Sequence, residues 1–349
     1  MRLEPIANPS LGRRIGLPAL ALGATVVVAA ILAAIAGGAP LSVLGLVIKG
    51  AVGSKFALLE TLNRATPLIF TGLAVAVAFR ARLWNIGAEA QLYAGAIVTV
   101  LLGTGALPLP APLLLPVIAA CAMVAGAAML LGPALAKARL GVDEVVTTLL
   151  LNFVMLLFVS LLLEGPMKDP MGMGWPKSTR LVAEARLPRI VDGLRLHWGF
   201  ALALIAALAV WVMQTRTALG YEIRAVGLNQ QAARFAGIPV NGVIVKTALI
   251  SGGLAALAGF GEVAGLKGVL TLDLSPGFGY TGIIVAMLAR LHPLGVVVSA
   301  IFVAGVFVGA DSMSRTAGIP SYIADIMLAA ALLLMVLALM LTRYRVARG

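Results

Sequence analysis

Long apolar stretches alternate with short polar ones along almost the whole chain. A run of about 20 apolar residues is long enough to cross the hydrocarbon core of a bilayer as a helix. The pattern therefore predicts an all-α, polytopic transmembrane bundle of about ten spans. The spans are predicted at residues 17–36, 61–79, 86–103, 112–135, 144–163, 197–213, 241–260, 274–289, 294–310 and 321–341.

Two regions leave the number of spans open between about eight and about ten. Residues 41–60 and 261–282 can each cross the membrane, re-enter it or lie on its surface. Within the second region, residues 271–282 place one Pro, three Gly and one Asp in an apolar stretch. This composition predicts a broken helix, whose unpaired backbone groups are tolerated only inside protein or beside a water-filled cavity.

Basic residues are concentrated on one side of these spans, together with both chain termini. Because cytoplasmic loops carry an excess of Lys and Arg, both termini are predicted to be cytoplasmic. Residues 1–349 then form a single transmembrane domain, with an extracytoplasmic loop at 165–196 and a long cytoplasmic loop at 214–240. The basic residues of the short cytoplasmic loops are Arg80, Arg82, Lys137, Arg139, Arg216, Arg224, Arg234 and Arg290.

Composition excludes several other classes of protein. Hydrophobic residues make up 61% of the chain and charged residues 11%, and the mean hydropathy is +1.05, so a soluble protein is excluded. The net charge of +12 is distributed over loops, which argues against nucleic-acid binding. Cys121 is the single cysteine, and His197 and His292 are far apart, so neither an internal disulfide nor a metal site is expected.

The cytoplasmic loop contains the polar stretch GLNQQAARFAGIPV, residues 227–240. Gly227 and Gly237 bracket a helix-competent run, Leu228 to Ala236; Asn229 can cap its start, and Gly237 followed by Pro239 can end it. The run is either a connecting helix on the membrane surface or a docking helix for a soluble partner. We favour docking because both ends are fixed. One side would present Gln230, Gln231 and Arg234, and other faces Ala233, Phe235 and Ile238.

Polar residues inside the predicted spans are candidates for the solute pathway, because they are costly in hydrocarbon. Asn85 and Glu89 share a helix face, and Glu89 lies about 9 Å from the cytoplasmic end of its span. Each of these two residues, and also Gln91, can brace neighbouring helices or line the pathway. Bracing is the favoured interpretation for Glu89.

A second polar stripe is predicted on the fifth span, where Glu144, Thr148 and Asn152 recur every fourth residue. Asp143 is placed to cap this helix. The stripe can hydrogen-bond to neighbouring helices or line the pathway, and Asn152 is the deepest of the three. In the interrupted region, Phe278 and Tyr280 offer aromatic faces on which a flat base can stack.

The cytoplasmic stretch TALGYEIRAVGLNQQAARFAGIPV resembles the coupling loop of ATP-binding-cassette importer permeases for branched-chain amino acids, simple sugars and nucleosides. LWNIGAEAQLYAGA at 83–96 resembles another segment of the same family, with Ala90 where Gly is common. GVDEVVTTLLLNF at 141–153 resembles a third, with Asp143 in place of Asn, and residues 277–300 resemble the nucleoside subgroup. The coupling residues implied by the resemblance are Arg224, Gly227, Asn229, Gln230, Ala233, Arg234 and Gly237.

The resemblance implies a permease subunit, without a cofactor, in the cytoplasmic membrane of a bacterium. Its partners would be an ATP-binding subunit, a second and different permease chain, an extracytoplasmic solute receptor and the lipid bilayer. The 349 residues contain no G-x-x-x-x-G-K-[ST] loop to hold nucleotide phosphates, so ATP hydrolysis is expected on the partner chain. Nucleosides or related ribosides are the expected solute, and simple sugars or branched-chain amino acids are the alternatives.

Two other classes of function were compared with this one. An ion-coupled secondary transporter needs an acidic residue deep in a span, and Asp325 is the nearest candidate. An intramembrane enzyme lacks both a metal-binding cluster and a plausible Ser-His pair. The permease of an ATP-driven importer therefore remains the favoured function.

Overall fold

The computed structural model describes residues 2–5, 10–35, 40–107, 109–318 and 322–347. They are mostly helical. The helices are α1 (Leu11–Ile35), α2 (Pro40–Val52), α3 (Lys55–Arg80), α4 (Ala88–Gly103), α5 (Ala111–Leu140), α6 (Glu144–Glu164), α7 (Gly199–Arg216), α8 (Ala218–Leu228), α9 (Gln230–Phe235), α10 (Val240–Phe260), α11 (Phe278–Leu288), α12 (Pro293–Ala317) and α13 (Tyr322–Arg343). A short 3-10 helix covers Ala183–Ala185, and a π-helical turn, Gly261–Lys267, continues α10.

Six helical stretches in the described residues are long and apolar enough to cross a membrane. Two shorter apolar helices, Ala88–Gly103 and Phe278–Leu288, accompany them. A multi-pass helical membrane protein is therefore confirmed, whereas ten spans and cytoplasmic termini stay predictions. The six stretches are Lys55–Arg80, Pro112–Leu140, Glu144–Glu164, Gly199–Arg216, Val240–Lys267 and Pro293–Ala317.

The chain divides into two compact units, and the first comprises residues 1–61 and 302–349. Within it, α1 packs along α13, and the segment Arg2–Pro5 (β1) pairs antiparallel with Tyr344–Ala347 (β2). These two short strands were not predicted, so the all-α prediction is correct for the bundle but incomplete at the chain ends. The side chain of Asp325 lies outside the described residues.

The uncertain region 41–60 contains α2, which has 13 residues and thus a length of about 20 Å. This is shorter than the roughly 30 Å hydrocarbon core, so α2 alone does not span it. A turn at residues 53–54 separates α2 from α3.

The second unit covers residues 62–301, and α10 lies at its centre against α4 and α5. Small residues allow this close packing: a Cβ on Gly259 would lie 1.9 Å from the Leu92 carbonyl oxygen, so no larger residue fits without backbone movement. The break in the helix was predicted at residues 271–282. It lies instead at Gly268–Gly277, because the π-helical turn continues to Lys267 and α11 begins at Phe278, so it begins earlier and is shorter than predicted.

Candidate functional site

The predicted coupling segment forms two helices, α8 and α9, and not one bracketed run. The Asn229 side chain caps α9, since its Oδ1 accepts hydrogen bonds from the N–H groups of Gln231 at 2.9 Å and Ala232 at 3.1 Å. Gly237 ends α9 with φ of +79°, a conformation that favours glycine. The capping role of Asn229 and the terminating role of Gly237 are confirmed.

The prediction that Gly227 marks the start of this helix is wrong. Gly227 lies in the last turn of α8, where it is buried. A Cβ at this position would lie 1.9 Å from the carbonyl oxygen of Arg80, at the end of α3. The glycine is therefore required for close backbone approach between α8 and α3, a requirement that the sequence pattern did not reveal.

Side-chain contacts also fix α8 and the end of α3. The Arg224 guanidinium donates to the carbonyl oxygen of Gln214 in α7. The Arg80 guanidinium donates to the carbonyl oxygen of Leu291, between α11 and α12, at 3.2 Å. A displacement of α8 would therefore act directly on α3 and α7, and through Arg80 on the turn between α11 and α12.

The surface around α9 exposes large apolar side chains as well as polar ones. Phe235 is 95% exposed and Leu228 is 78% exposed, and Tyr221 is exposed as well. Gln231 and Arg234 are exposed, Gln230 is half-buried and Ala233 is buried. Tyr221 and Leu228, which are seven residues apart in α8 and therefore lie on one side of that helix, were missed.

Asn85 and Gln91 form a buried amide pair. The Asn85 Nδ2 donates to the Gln91 Oε1 at 2.9 Å, and the Gln91 Nε2 donates to the Asn85 Oδ1 at 2.8 Å. The Asn85 Nδ2 also donates to the Ser251 hydroxyl, which in turn donates to the Ala74 carbonyl oxygen. This network joins α3, α10 and the segment before α4, and it supports the interpretation that Asn85 and Gln91 brace neighbouring helices.

The polar stripe on α6 contacts the irregular backbone that precedes α4. Glu144, Thr148 and Asn152 accept hydrogen bonds from the backbone N–H groups of Trp84 at 3.0 Å, Ile86 at 3.2 Å and Ala90 at 2.9 Å, respectively. The Asn152 Nδ2 donates to the Ile86 carbonyl oxygen. These bonds satisfy backbone groups that no helix or strand pairs, and they favour the packing interpretation of the stripe.

Asp143 caps α6 as predicted, because its carboxylate accepts from the N–H of Val145 at 2.8 Å. The Lys137 ammonium forms an ion pair with Glu144. The start of α6 is thus fixed both by its own cap and by a basic residue of α5.

Glu89 and Tyr93 link α4 to the broken helix. The Gly279 N–H donates to the Glu89 Oε2 at 2.6 Å, at the N-terminal end of α11, where the helix dipole favours a carboxylate. The Tyr93 hydroxyl donates to the Leu272 carbonyl oxygen at 2.6 Å. Glu89 is buried, so its contacts support the bracing role that the sequence favoured.

Phe278 and Tyr280 differ in accessibility. Phe278 is buried, and the Arg64 guanidinium carbon lies 5.9 Å from its ring centroid, within the range of a cation–π contact. Tyr280 is 37% exposed, and its hydroxyl accepts a hydrogen bond from Asn152 Nδ2 at 3.0 Å. The other four predicted pathway residues, Asn85, Glu89, Gln91 and Asn152, are also buried, so Tyr280 alone of the six is accessible in this conformation.

In the described part of the chain, no group of three or more His, Cys, Asp and Glu side chains is arranged to hold a metal ion. Arg64 was not singled out from the sequence, because its pairing with Phe278 joins positions more than 200 residues apart.

Comparison with known proteins identifies relatives over almost the whole chain. A glucose ABC transporter permease protein of Haloferax volcanii is 35% identical over 99% of this chain and 93% of its own length. A guanosine ABC transporter permease protein of Bacillus subtilis is 37% identical over 80% of this chain and 81% of its own. A nucleoside ABC transporter permease protein of Lactococcus lactis is 32% identical over 80% of this chain and 79% of its own.

No solved structure matches the chain. Residues 57–341 match the family described as the permease component of the branched-chain amino acid transport system. This match covers both the coupling segment and the polar segment around α4. The chain therefore belongs to the branched-chain amino acid transport system permease family and is a multi-pass membrane permease of an ABC transporter.

Proposed function

We propose that this chain forms the translocation path of an importer for nucleosides and is driven by a separate ATP-binding subunit. The observation that carries the proposal is the α8–α9 segment, which exposes an apolar surface and contacts the ends of membrane helices. Such a segment is suited to receive a partner's movement and pass it into the bundle.

Docking of α9 follows from the chemistry of its surface. Phe235 is almost fully exposed next to Arg234 and Gln231, and an aromatic residue beside an arginine is a typical centre of a binding interface. A short helix with such residues fits a groove on a soluble protein. The ATP-binding subunit is the partner we propose, because the 349 residues contain no phosphate-binding loop.

Nucleosides are the proposed solutes because two relatives carry guanosine or nucleoside in their names. Tyr280 supports this proposal, since the residue is 37% exposed and an aromatic side chain can stack on a nucleobase. A hexose is the second candidate, since the relative aligned over 99% of this chain is a glucose permease protein.

The remaining parts of the assembly are proposed from the family. A second permease chain would complete the pathway, and an extracytoplasmic receptor would deliver the solute. We propose that both chain termini face the cytoplasm, which fits the pairing of β1 with β2 because paired segments lie on one side. The cytoplasmic membrane of a bacterium is the proposed location.

Reconstitution tests this function. The permease is placed in proteoliposomes with and without its ATP-binding subunit, second permease and receptor, and uptake of labelled guanosine and glucose is measured. We expect ATP-dependent guanosine uptake only by the complete assembly. Accumulation of solute by this chain alone, driven by an ion gradient, would show that it is a secondary transporter instead.

A further inference from the structure

A cluster of basic residues lies on the segment between α6 and α7. Burial, and then the nearby charges of Arg180 and Arg189, lower the pKa of Arg186. The Arg186 guanidinium is therefore repelled by those of Arg180 and Arg189. Like charges gathered in this way are stabilised when an anion lies among them.

A cleft of about 290 Å³ opens beside this cluster. Two strand-like arms of one hairpin form one wall: Arg189 pairs with His197, and the Ile190 N–H donates to the Leu196 carbonyl oxygen at 2.8 Å. The end of the π-helical turn forms the other wall. The cleft is lined by Arg189, Arg195, Gly265, Leu266 and Lys267.

The cleft is held in shape by close packing. The His197 ring lies directly on Gly265, where a Cβ would come within 2.4 Å of the ring Nδ1, so only glycine fits. The Leu187 N–H donates to the Ala264 carbonyl oxygen at 2.9 Å and fixes the hairpin to the π-helical turn. In the described part of the chain, the buried His197 Nε2 has no hydrogen-bond partner, which leaves an unsatisfied polar group next to the cleft.

Both walls of the cleft stand at the ends of membrane-spanning helices. Lys267 is the last residue of the span Val240–Lys267, and Gly199 begins the span that follows the hairpin. Trp198 is 54% exposed at this boundary, as expected of an aromatic residue in the interfacial layer of a bilayer. Leu204 and Ile205, one to two turns further along α7, are exposed as well and suit contact with lipid chains.

We propose that this cleft binds a phosphate group, and that its source is the headgroup of an anionic phospholipid. Guanidinium groups bind phosphate oxygens in pairs, and Arg189 and Arg195 with the ammonium of Lys267 supply three positive charges at headgroup depth. The Lys267 ammonium forms an ion pair with the Asp273 carboxylate at 3.9 Å and donates to the Asp273 carbonyl oxygen, and Asp192 lies in the hairpin turn. The residues that line the cleft themselves include three basic side chains and no acidic one. The site is independent of the solute that the permease carries.

The test uses the full-length chain in an uncharged detergent. Thermal unfolding is followed during titration with dioctanoyl phosphatidylglycerol, dioctanoylglycerol, which lacks the phosphate, or inorganic phosphate. The cleft variant is Arg189→Gln with Arg195→Gln. The control variant, Lys55→Gln with Lys168→Gln, removes the same number of charges from exposed positions but leaves the cleft lining and the neighbouring arginines intact.

We expect phosphatidylglycerol to raise the Tm of the unmodified chain and of the control, and dioctanoylglycerol to have no such effect. The cleft variant should bind phosphatidylglycerol about tenfold more weakly or worse, because two charged hydrogen-bond donors are lost. A variant with Arg189→Lys and Arg195→Lys keeps the charge and checks folding; it should retain part of the affinity, since lysine lacks the bidentate geometry.

Other results separate the alternatives. Cleft-dependent stabilisation by inorganic phosphate, without an effect of the lipid, would support the phosphate site and assign its ligand to the solution. Equal stabilisation of all variants by phosphatidylglycerol, or an equal effect of dioctanoylglycerol, would overturn the proposal. So would a cleft variant that binds the lipid normally but no longer binds an acidic extracytoplasmic receptor, since the cleft would then be a protein-docking surface.

Discussion

Replacement of Gly227 by alanine is expected to impair coupling of the motor to the membrane helices. The added Cβ would lie 1.9 Å from the Arg80 carbonyl oxygen, about 1.5 Å inside the 3.4 Å at which ordinary contact begins. The obstacle is backbone and not a flexible side chain, so α8 must move away from α3. Overpacking of this kind costs about 1 to 3 kcal/mol, partly offset by the higher helix propensity of alanine, about 1 kcal/mol.

The net destabilisation should therefore be about 0 to 2 kcal/mol, while the position of α8 changes. We expect Gly227→Ala to insert into the membrane normally but to lose about tenfold or more of ATP-driven uptake, the factor that corresponds to roughly 1.4 kcal/mol. Gly242→Ala is the matched control, because its Cβ would only touch the Pro239 side chain at 3.8 Å. The assay is ATP-dependent uptake by the complete transporter in proteoliposomes, together with the rate of ATP hydrolysis.

ATP hydrolysis in the Gly227→Ala complex should continue or fall less than uptake, because the partner can still bind α9. Normal uptake by Gly227→Ala would refute the reasoning, since the close approach to Arg80 would then have no part in transmission. Equal loss in Gly227→Ala and Gly242→Ala would also refute it, because the effect would belong to any added methyl group in this region.

Three further predictions concern the motor interface, the pathway and the stability of the hairpin. Phe235→Ala should weaken binding of the ATP-binding subunit by about 2 kcal/mol or more in a pull-down titration. Gln231 is exposed as well, but Gln231→Ala should change the binding little. Equal effects of the two substitutions would exclude a central role for the Phe235 ring. Tyr280→Ala should reduce nucleoside uptake by about 1 to 3 kcal/mol of lost stacking, whereas Tyr280→Phe, which keeps the ring but loses the hydroxyl bonded to Asn152, should retain it. Burial lowers the pKa of His197, which precedes α7, to about 4. Between about pH 6.5 and pH 4 the unfolded chain therefore binds more protons at this residue than the folded chain does, so the Tm should fall as the pH drops through this range. An identical pH dependence of the Tm in His197→Gln would contradict this.

The membrane helices could be predicted from the sequence because each contains a long run of apolar residues. Apolar length alone located the six helical stretches that are long enough to cross a membrane and the two shorter apolar helices, and local chemistry located the caps at Asp143 and Asn229. The resemblance of the segments around α4, α6 and α8 identified the family that the comparisons confirm. Each of these features depends on residues that are close together in the sequence, either as neighbours or as members of one continuous motif.

The error at Gly227 has a different origin, since it involves a partner distant in sequence. Gly227 was interpreted as one end of a helical run from Leu228 to Ala236, but it lies within α8 against the backbone of Arg80. The burial of Phe278 and its contact with Arg64 also depend on residues distant in sequence, while its stacking role stays a prediction. The order of residues along the chain does not by itself show which distant residues are in contact.

The polar residues in the membrane also acquire a physical explanation from these contacts. Two irregular backbone segments adjoin these side chains, residues 81–87 before α4 and Gly268–Gly277 before α11. In the first, Thr148 accepts from the Ile86 N–H and Asn152 donates to the Ile86 carbonyl oxygen. In the second, Tyr93 donates to the Leu272 carbonyl oxygen, and Glu89 accepts from the Gly279 N–H just beyond it, so side chains complete backbone hydrogen bonds that would be costly to leave unmade in lipid.

A buried polar residue in this permease is thus not by itself a sign of a solute site. Asn152 of α6 contacts two other helices at once, because its Nδ2 donates to the Tyr280 hydroxyl of α11 and its Oδ1 accepts from the Ala90 N–H in the first turn of α4. Removal of this amide would therefore leave polar groups of both helices without their partner, which is costly wherever those groups are buried. The residue that the sequence marked as the deepest polar group of α6 thus joins α6 to α4 and α11.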